Sequence, residues 1–466
     1  MRTEWVAAAG AAALGLGSSA LAGAVEKPAR EGVTRLHDPA NHAGCRWAIR
    51  PHEHEREDAP APRGVSAAVT TLIDSGPPAN RIDLVFVGDG YTAGELPLYA
   101  QHAQRGVDEL FDLPPFDRYV ELFNVHRVDV ASNESGVDED PRGVDRDTAL
   151  DMRFWCGGIQ RALCVNLSAA RSYAGLAPDV DQIFAVANAS TYGGAGYPTS
   201  DVATYAGGSG SAPQIAIHEL GHSLGNLADE YAYGGPSVYT GPEPSARNVS
   251  KLTASAMLAS GAKWSDWLGE DGPLYDGPIS TYEGANTSAS GVHRPSPDSL
   301  MRNLGRPLNA PSAEGLIIEM WKLVAPIDAS FPSGSAVSRT DLARVEPAAS
   351  FLTVRWTLSG QPVGTGPALD LRAVEVPPAG GVLRATVVDE TTLVRDEAAR
   401  DAFMTQTREW AVEALHTLPA DLSGDGVVNE IDLAILLGAW FGAGGDLTGD
   451  GVTDVADLAA LLASWG

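Results

Sequence analysis

Apolar positions fall into three textures along the chain. Ile82-Asp83-Leu84-Val85-Phe86-Val87 is a short, nearly continuous apolar run that stops at Gly88-Asp89-Gly90-Tyr91, the pattern of a buried strand entering a turn. Residues 123–128 and 182–186 repeat it, and a helical stretch over 98–111 lies between the first two runs. Strands alternating with helical stretches predict an α/β layer. From about Val337 the texture changes to short strands parted by Gly/Pro turns, at 352–356, 370–374 and 383–388. That spacing predicts a small all-β, Ig-like sandwich over 335–418. From residue 419 onward a third texture appears, two acidic Gly-rich loops that each run into a short apolar helix.

The N-terminus changes the setting. Arg2 precedes an apolar run over 5–16, followed by Ser18-Ser19-Ala20-Leu21-Ala22-Gly23-Ala24, which reads as a secretory signal peptide over 1–24 and places the mature protein outside the cytoplasm. Residues 25–78 are rich in Pro, His, Glu and Arg and read as a flexible leader or propeptide-like segment, with order expected from Asn80. The pair His52 and His54 is read as part of that leader. No other segment approaches the roughly 20 apolar residues of a membrane span, so no transmembrane anchor is expected. A net charge of −28 repels phosphate backbones and excludes nucleic acid as a partner. Cys156 and Cys164 are close enough in sequence to form a local disulfide in an oxidising compartment, leaving Cys45 over.

The chemistry concentrates in Ile215-Ala216-Ile217-His218-Glu219-Leu220-Gly221-His222-Ser223-Leu224-Gly225-Asn226-Leu227-Ala228-Asp229-Glu230-Tyr231. On a helix, His218 and His222 project from one face and can hold one Zn²⁺. Glu219 beside them can take a proton from a water activated by the metal. A zinc hydrolase needs a third protein ligand. Asp229 is eleven residues beyond His218, about 16 Å along an unbroken helix, so the helix must end between them. Gly225 is placed to allow a left-handed turn there. Glu230 is the alternative third ligand.

These residues resemble the motif of the IgA-peptidase family of secreted zinc metallopeptidases. Three other stretches carry the same resemblance: Val87-Gly88-Asp89-Gly90-Tyr91-Thr92, Tyr192-Gly193-Gly194-Ala195-Gly196, and Arg294-Pro295-Ser296 with Ser299-Leu300-Met301-Arg302. The resemblance spans roughly residues 80–332. It implies a metzincin-like catalytic domain, over 79–334, in which Met301 forms a turn beneath the zinc. The third ligand is displaced by one residue from the usual metzincin spacing, which would fall on Ala228, and Asn303 stands where some metzincins place a tyrosine. The glycines 193, 194 and 196 are read either as a strand edge for a bound peptide or as a flexible loop.

Residues 421–432 and 446–457 repeat each other 25 residues apart. Asp421, Ser423, Asp425, Asn429 and Asp432, with the Val427 carbonyl, follow the calcium-loop pattern. Asp446, Thr448, Asp450, Asp454 and Asp457, with the Val452 carbonyl, do the same, with Asp at position 12. The repeat resembles dockerin domains, which implies two Ca²⁺ ions in a small all-α unit over 419–466 and a cohesin-like or cell-surface partner. The expectation is therefore a multidomain secreted zinc endopeptidase with Glu219 as base and a protein or peptide substrate. The alternative is a non-catalytic secreted binding protein that uses the metal domain as a scaffold and the dockerin for assembly.

Overall fold

The computed structural model describes residues 67–465, except 140–141, 233–234, 273–276 and 415–417. The expected signal peptide, nearly all of the leader, and Cys45 lie outside the described residues.

A six-stranded sheet organises the first half. Its order is Ala68–Ile73, Phe123–Asp129, Ile82–Asp89, Gln182–Ala187, Val202–Ala206, Gly194–Tyr197. The middle four strands are parallel and the two outer ones antiparallel. Every residue of Ile82–Asp89 and Gln182–Ala187 is buried, as expected of strands covered on both faces, which read as continuous apolar runs. Helices Leu96–Phe111 and Leu167–Ala174 make the crossovers. The leader expected over 25–78 is shorter at its C-terminal end than the sequence suggested. Ala68–Ile73 is an edge strand, pairing Val69 with Val128 and Thr70 with Arg127. It is only partly buried, so it lacks the alternation that would have marked it as a strand.

The second half is mostly β. Ile327–Phe331, Leu342–Pro347 and Ala368–Asp370 form a three-stranded sheet. Ala336–Val337, Thr405–Val412, Gly381–Val388, Thr353–Leu358 and Gln361–Thr365 form a five-stranded one. Alternate residues of Leu342–Pro347 and Thr353–Leu358 are buried, and Trp356 stacks on Trp410 with ring centroids 5.6 Å apart. Residues 370–374, expected as a strand, are mostly a 3-10 turn over Leu371–Ala373. The Asp370 side chain accepts from the Arg372 amide and so ends the strand there.

The boundary expected near residue 334 is not a break in packing. The strand Ile327–Phe331 already belongs to the β part, and one continuous hydrophobic core runs from Ile82 to Val412. Asp389, fully buried, accepts from Tyr119 Oη (2.6 Å), Trp321 Nε1 (3.1 Å) and an Arg118 guanidinium nitrogen (3.1 Å) across that boundary. The C-terminal segment has a separate small core of Ala420, Val428, Leu436 and Leu461. Its helices Glu430–Gly438 and Val455–Ala463 each start from a capping box, Asn429 with Asp432 and Asp454 with Asp457.

Candidate metal centre

The helix Pro213–Ser223 carries the two histidines. Proline at its first turn needs no amide partner there, and Ala216, Ile217 and Leu220 recur at helical spacing on its buried side. The chain leaves this helix by a reversal at 225–226. Asn226, with φ 49°, takes the left-handed conformation assigned above to Gly225, one that Asn tolerates better than most residues. Gly225 serves packing instead: a Cβ there would lie 2.7 Å from the Gly221 carbonyl oxygen and 3.0 Å from Leu316. The reversal returns Asp229 to the imidazoles.

His218 Nε2, His222 Nε2 and Asp229 Oδ1 converge. The nitrogens lie 3.1 and 3.2 Å from the carboxylate oxygen and 3.2 Å from each other. The other ring nitrogens are engaged. His218 Nδ1 donates to the Leu300 carbonyl at 3.0 Å and His222 Nδ1 to the Leu227 carbonyl at 2.7 Å. Each ring thereby turns an Nε2 lone pair toward the same point, next to a buried carboxylate. Donor atoms this close repel unless a metal cation or bridging protons lie between them. Their separations also match the edge of a tetrahedron with bonds of about 2.0–2.1 Å, which is about 3.3 Å, so the donor set fits Zn²⁺.

The electrostatics follow from this crowding. For His222, burial opposes the charged form, but the Asp229 carboxylate outweighs it and lifts the imidazole to about 9. His218 shifts the same way, burial again being overcome by its hydrogen bond with Asp229. Asp229 moves far below the usual carboxylate range, because the two imidazoles more than offset its burial. Glu219 moves upward because its carboxyl is crowded by protein, with the two histidines working against the shift.

Glu219 rests against the edge strand Gly194–Tyr197, where a Cβ on Gly196 would overlap its carboxylate. The glycine-rich stretch is thus an outer strand of the main sheet. The Gly194 amide donates to the Arg161 carbonyl at 3.1 Å, so the loop closed by the Cys156–Cys164 disulfide covers the start of this edge. Tyr197 at its far end is half-buried, but its hydroxyl is enclosed, which pushes it up to about 12.

Met301 is fully buried beneath the helix, with its sulfur 2.7 Å from where a Gly221 Cβ would be. Both oxygens of Glu230, the alternative ligand, are taken up elsewhere: Asn248, Ser299, Asn309 and Ser312 all donate to them. Burial raises this carboxyl, and those donors pull it back. Asn248 and Ser312 carry no local sequence signal of this role, and Ser299 stands out only within the stretch that carries the family resemblance. Asn309 was detectable as a helix cap, since it precedes Ala310-Pro311 and its side chain accepts from the Ser312 amide.

In the C-terminal loops, Asp421, Asp425 and Asp432 offer carboxylate oxygens within 4.8 Å of one another. Asp421 also accepts from the amides of Gly424, Asp425 and Gly426, and Asp432 from those of Ser423 and Asn429. Asp446 and Asp457 repeat those bonds, with Gly449, Asp450 and Gly451 and with Thr448 and Asp454. The second loop's carboxylates do not form a group as close as the first's among the described residues. Val427 and Val452 occupy the seventh position of each loop, where the pattern calls for a backbone carbonyl.

No helix among the described residues is long and apolar enough to cross a membrane. No curated protein matches the chain. Residues 70–280 match the model of the family described as IgA Peptidase M64, a stretch that holds His218, Glu219, His222 and Asp229 but ends before Met301 and the C-terminal loops. In that stretch the chain is similar to a metallopeptidase family, which supports a peptidase, a hydrolase whose substrates are proteins.

Proposed function

We propose that the chain is a secreted, zinc-dependent endopeptidase of metzincin-like design. The observation that carries this reading is the convergence of His218, His222 and Asp229 with Glu219 on the same helix turn. His218, His222 and Asp229 would hold a zinc ion, which when bound would supply the Lewis acidity that polarises the scissile carbonyl and acidifies the attacking water. Glu219 accepts the proton from that water and delivers it to the departing amine. The raised affinity of Glu219 for a proton suits both steps, since a carboxyl nearer neutrality both takes and returns it. Leu300 and Leu227, through their carbonyls, hold the two rings in the required tautomer. Met301 fills the space beneath the helix and fixes its height. The edge strand ending in Gly196 and Tyr197 suits an extended peptide that adds as a further strand.

The reading extends to the termini. Residues 1–24 direct export. The β part serves as an Ig-like sandwich, and the two C-terminal loops bind Ca²⁺ in a dockerin-like unit that attaches to a cohesin-like or cell-surface partner. An intact base at Glu219 favours catalysis over a scaffold role, which has no need of one. Glu219→Gln should retain zinc and lose cleavage of a denatured protein such as casein. Full activity in that variant would overturn the mechanism.

A further inference from the structure

Glu230 is the most heavily hydrogen-bonded carboxylate near the metal centre, yet the mechanism above makes no use of it. It has no exposure to solvent. Its Oε1 accepts from Asn248 Nδ2 (3.0 Å), Asn309 Nδ2 (3.0 Å) and Ser312 Oγ (3.0 Å), and its Oε2 from Asn309 Nδ2 (2.8 Å) and Ser299 Oγ (2.8 Å). The two amide donors cannot reverse to suit a different side chain. Asn248 Oδ1 already accepts from the Ala228 amide while its Nδ2 also donates to the Ala228 carbonyl. Asn309 Oδ1 caps the helix Ala310–Trp321. Two fixed amide donors and two hydroxyls thus surround Glu230, and a carboxylate can accept from all four at once.

The same contacts tie the metal loop on both sides of Asp229. Asn248 clamps Ala228 on one side. On the other, the Glu230 amide donates to the Met301 carbonyl at 2.8 Å and its carbonyl accepts from Arg302 at 3.1 Å. Met301 follows Leu300, whose carbonyl orients His218. We infer that Glu230 is a positioning residue, whose buried carboxylate joins the loop 228–230, the segment 299–302 and the start of the helix Ala310–Trp321 so that Asp229 and His218 meet at one point. The inference rests on the zinc reading proposed above. Residues that orient metal ligands typically contribute about 10–100-fold to metal affinity.

The test uses the full chain, stripped of metal and titrated with Zn²⁺ against a chromophoric chelator, with Co²⁺ spectra recorded in parallel. Four forms are compared: wild type, Asp229→Ala, Glu230→Gln and Ser312→Ala. Ser312→Ala removes only one donor and keeps the fold if Glu230→Gln does not. Glu230→Gln is expected to weaken zinc binding about 10–100-fold, and Ser312→Ala several-fold in the same direction. In both, the Co²⁺ bands should keep the position and intensity of a site with all three protein ligands. Asp229→Ala should alter those bands and abolish tight binding. Unchanged zinc affinity in folded Glu230→Gln and in Ser312→Ala, beside a crippled Asp229→Ala, would overturn the inference alone. Unchanged affinity in Asp229→Ala would overturn the zinc reading itself. Loss of the Co²⁺ bands in Glu230→Gln with their retention in Asp229→Ala would make Glu230 the ligand and overturn both.

Discussion

Gly196→Ala isolates the placement of Glu219 from its chemistry. A single methyl group at 196 would overlap the Glu219 carboxylate, and even the more distant Cγ would be 2.8 Å away. Carbon–carbon contact ordinarily begins near 3.4 Å. The neighbour that must yield is the end of a side chain, so the fold should accommodate the change by swinging the carboxylate roughly 1 Å or more. A displacement of that size costs on the order of 10²-fold in rate, and complete loss of a general base costs about 10²–10⁴-fold. Cleavage of a fluorogenic peptide should therefore fall about 10²–10³-fold in kcat/KM, equivalent to about 3–4 kcal/mol of transition-state stabilisation. Zinc content and Tm should stay near wild type, because neither the imidazoles nor Asp229 is touched. Gly194→Ala is the comparison: its Cβ would run into the Thr204 backbone carbonyl and lie 2.8 Å from Ile215 Cγ2. Backbone cannot swing aside, so that variant should lose stability before it loses rate. Undiminished cleavage by a folded, zinc-loaded Gly196→Ala protein would refute the role given to Glu219.

Three further outcomes are expected. Tyr119→Phe removes a 2.6 Å bond to the buried Asp389 and should destabilise the protein by about 1.5–3 kcal/mol, read from denaturant midpoints; a change within experimental error would show that Trp321 and Arg118 suffice. Glu95 is held at about 2, below its ordinary 4.5, because bonds from Thr92, Ser135 and Asn188 outweigh its partial burial. A depressed carboxylate contributes stability above pH 4.5 that is lost as pH falls toward 2, so Glu95→Gln should flatten that part of the Tm-against-pH curve, and a parallel curve would count against the assignment. Removing Ca²⁺ with a chelator should melt the helices Glu430–Gly438 and Val455–Ala463, seen as lost helical circular dichroism that calcium restores; a chelator-insensitive signal would end the calcium reading.

How much was legible depended on whether a residue's role leaves a local mark. The parallel strands were visible because burial on both faces makes them continuously apolar, whereas Ala68–Ile73, half-covered at an edge, carries no such pattern. His218, Glu219 and His222 announce themselves by helical spacing. The need for a third ligand within reach points to Asp229 or Glu230, and of the two it is Asp229 that lies beside the imidazoles, delivered by a turn at Asn226 rather than at Gly225. Here an asparagine did what is usually left to glycine, while the glycine was needed for close packing. The partners of Glu230 come from positions 18 to 82 residues away, and nothing in their own neighbourhoods hints at a shared carboxylate. The strand expected at 370–374 failed for a local reason, the Asp370 side chain capturing the Arg372 amide.

The bonds that Asp389 makes to Tyr119, Trp321 and Arg118 decide where this chain can be divided. A fragment stopping at 334 would strip an aromatic seam of its cover and leave a phenol and an indole without their shared acceptor. The stretch from the first edge strand to about 412 is therefore expected to melt as one unit, while the acidic repeat brings a small core of its own.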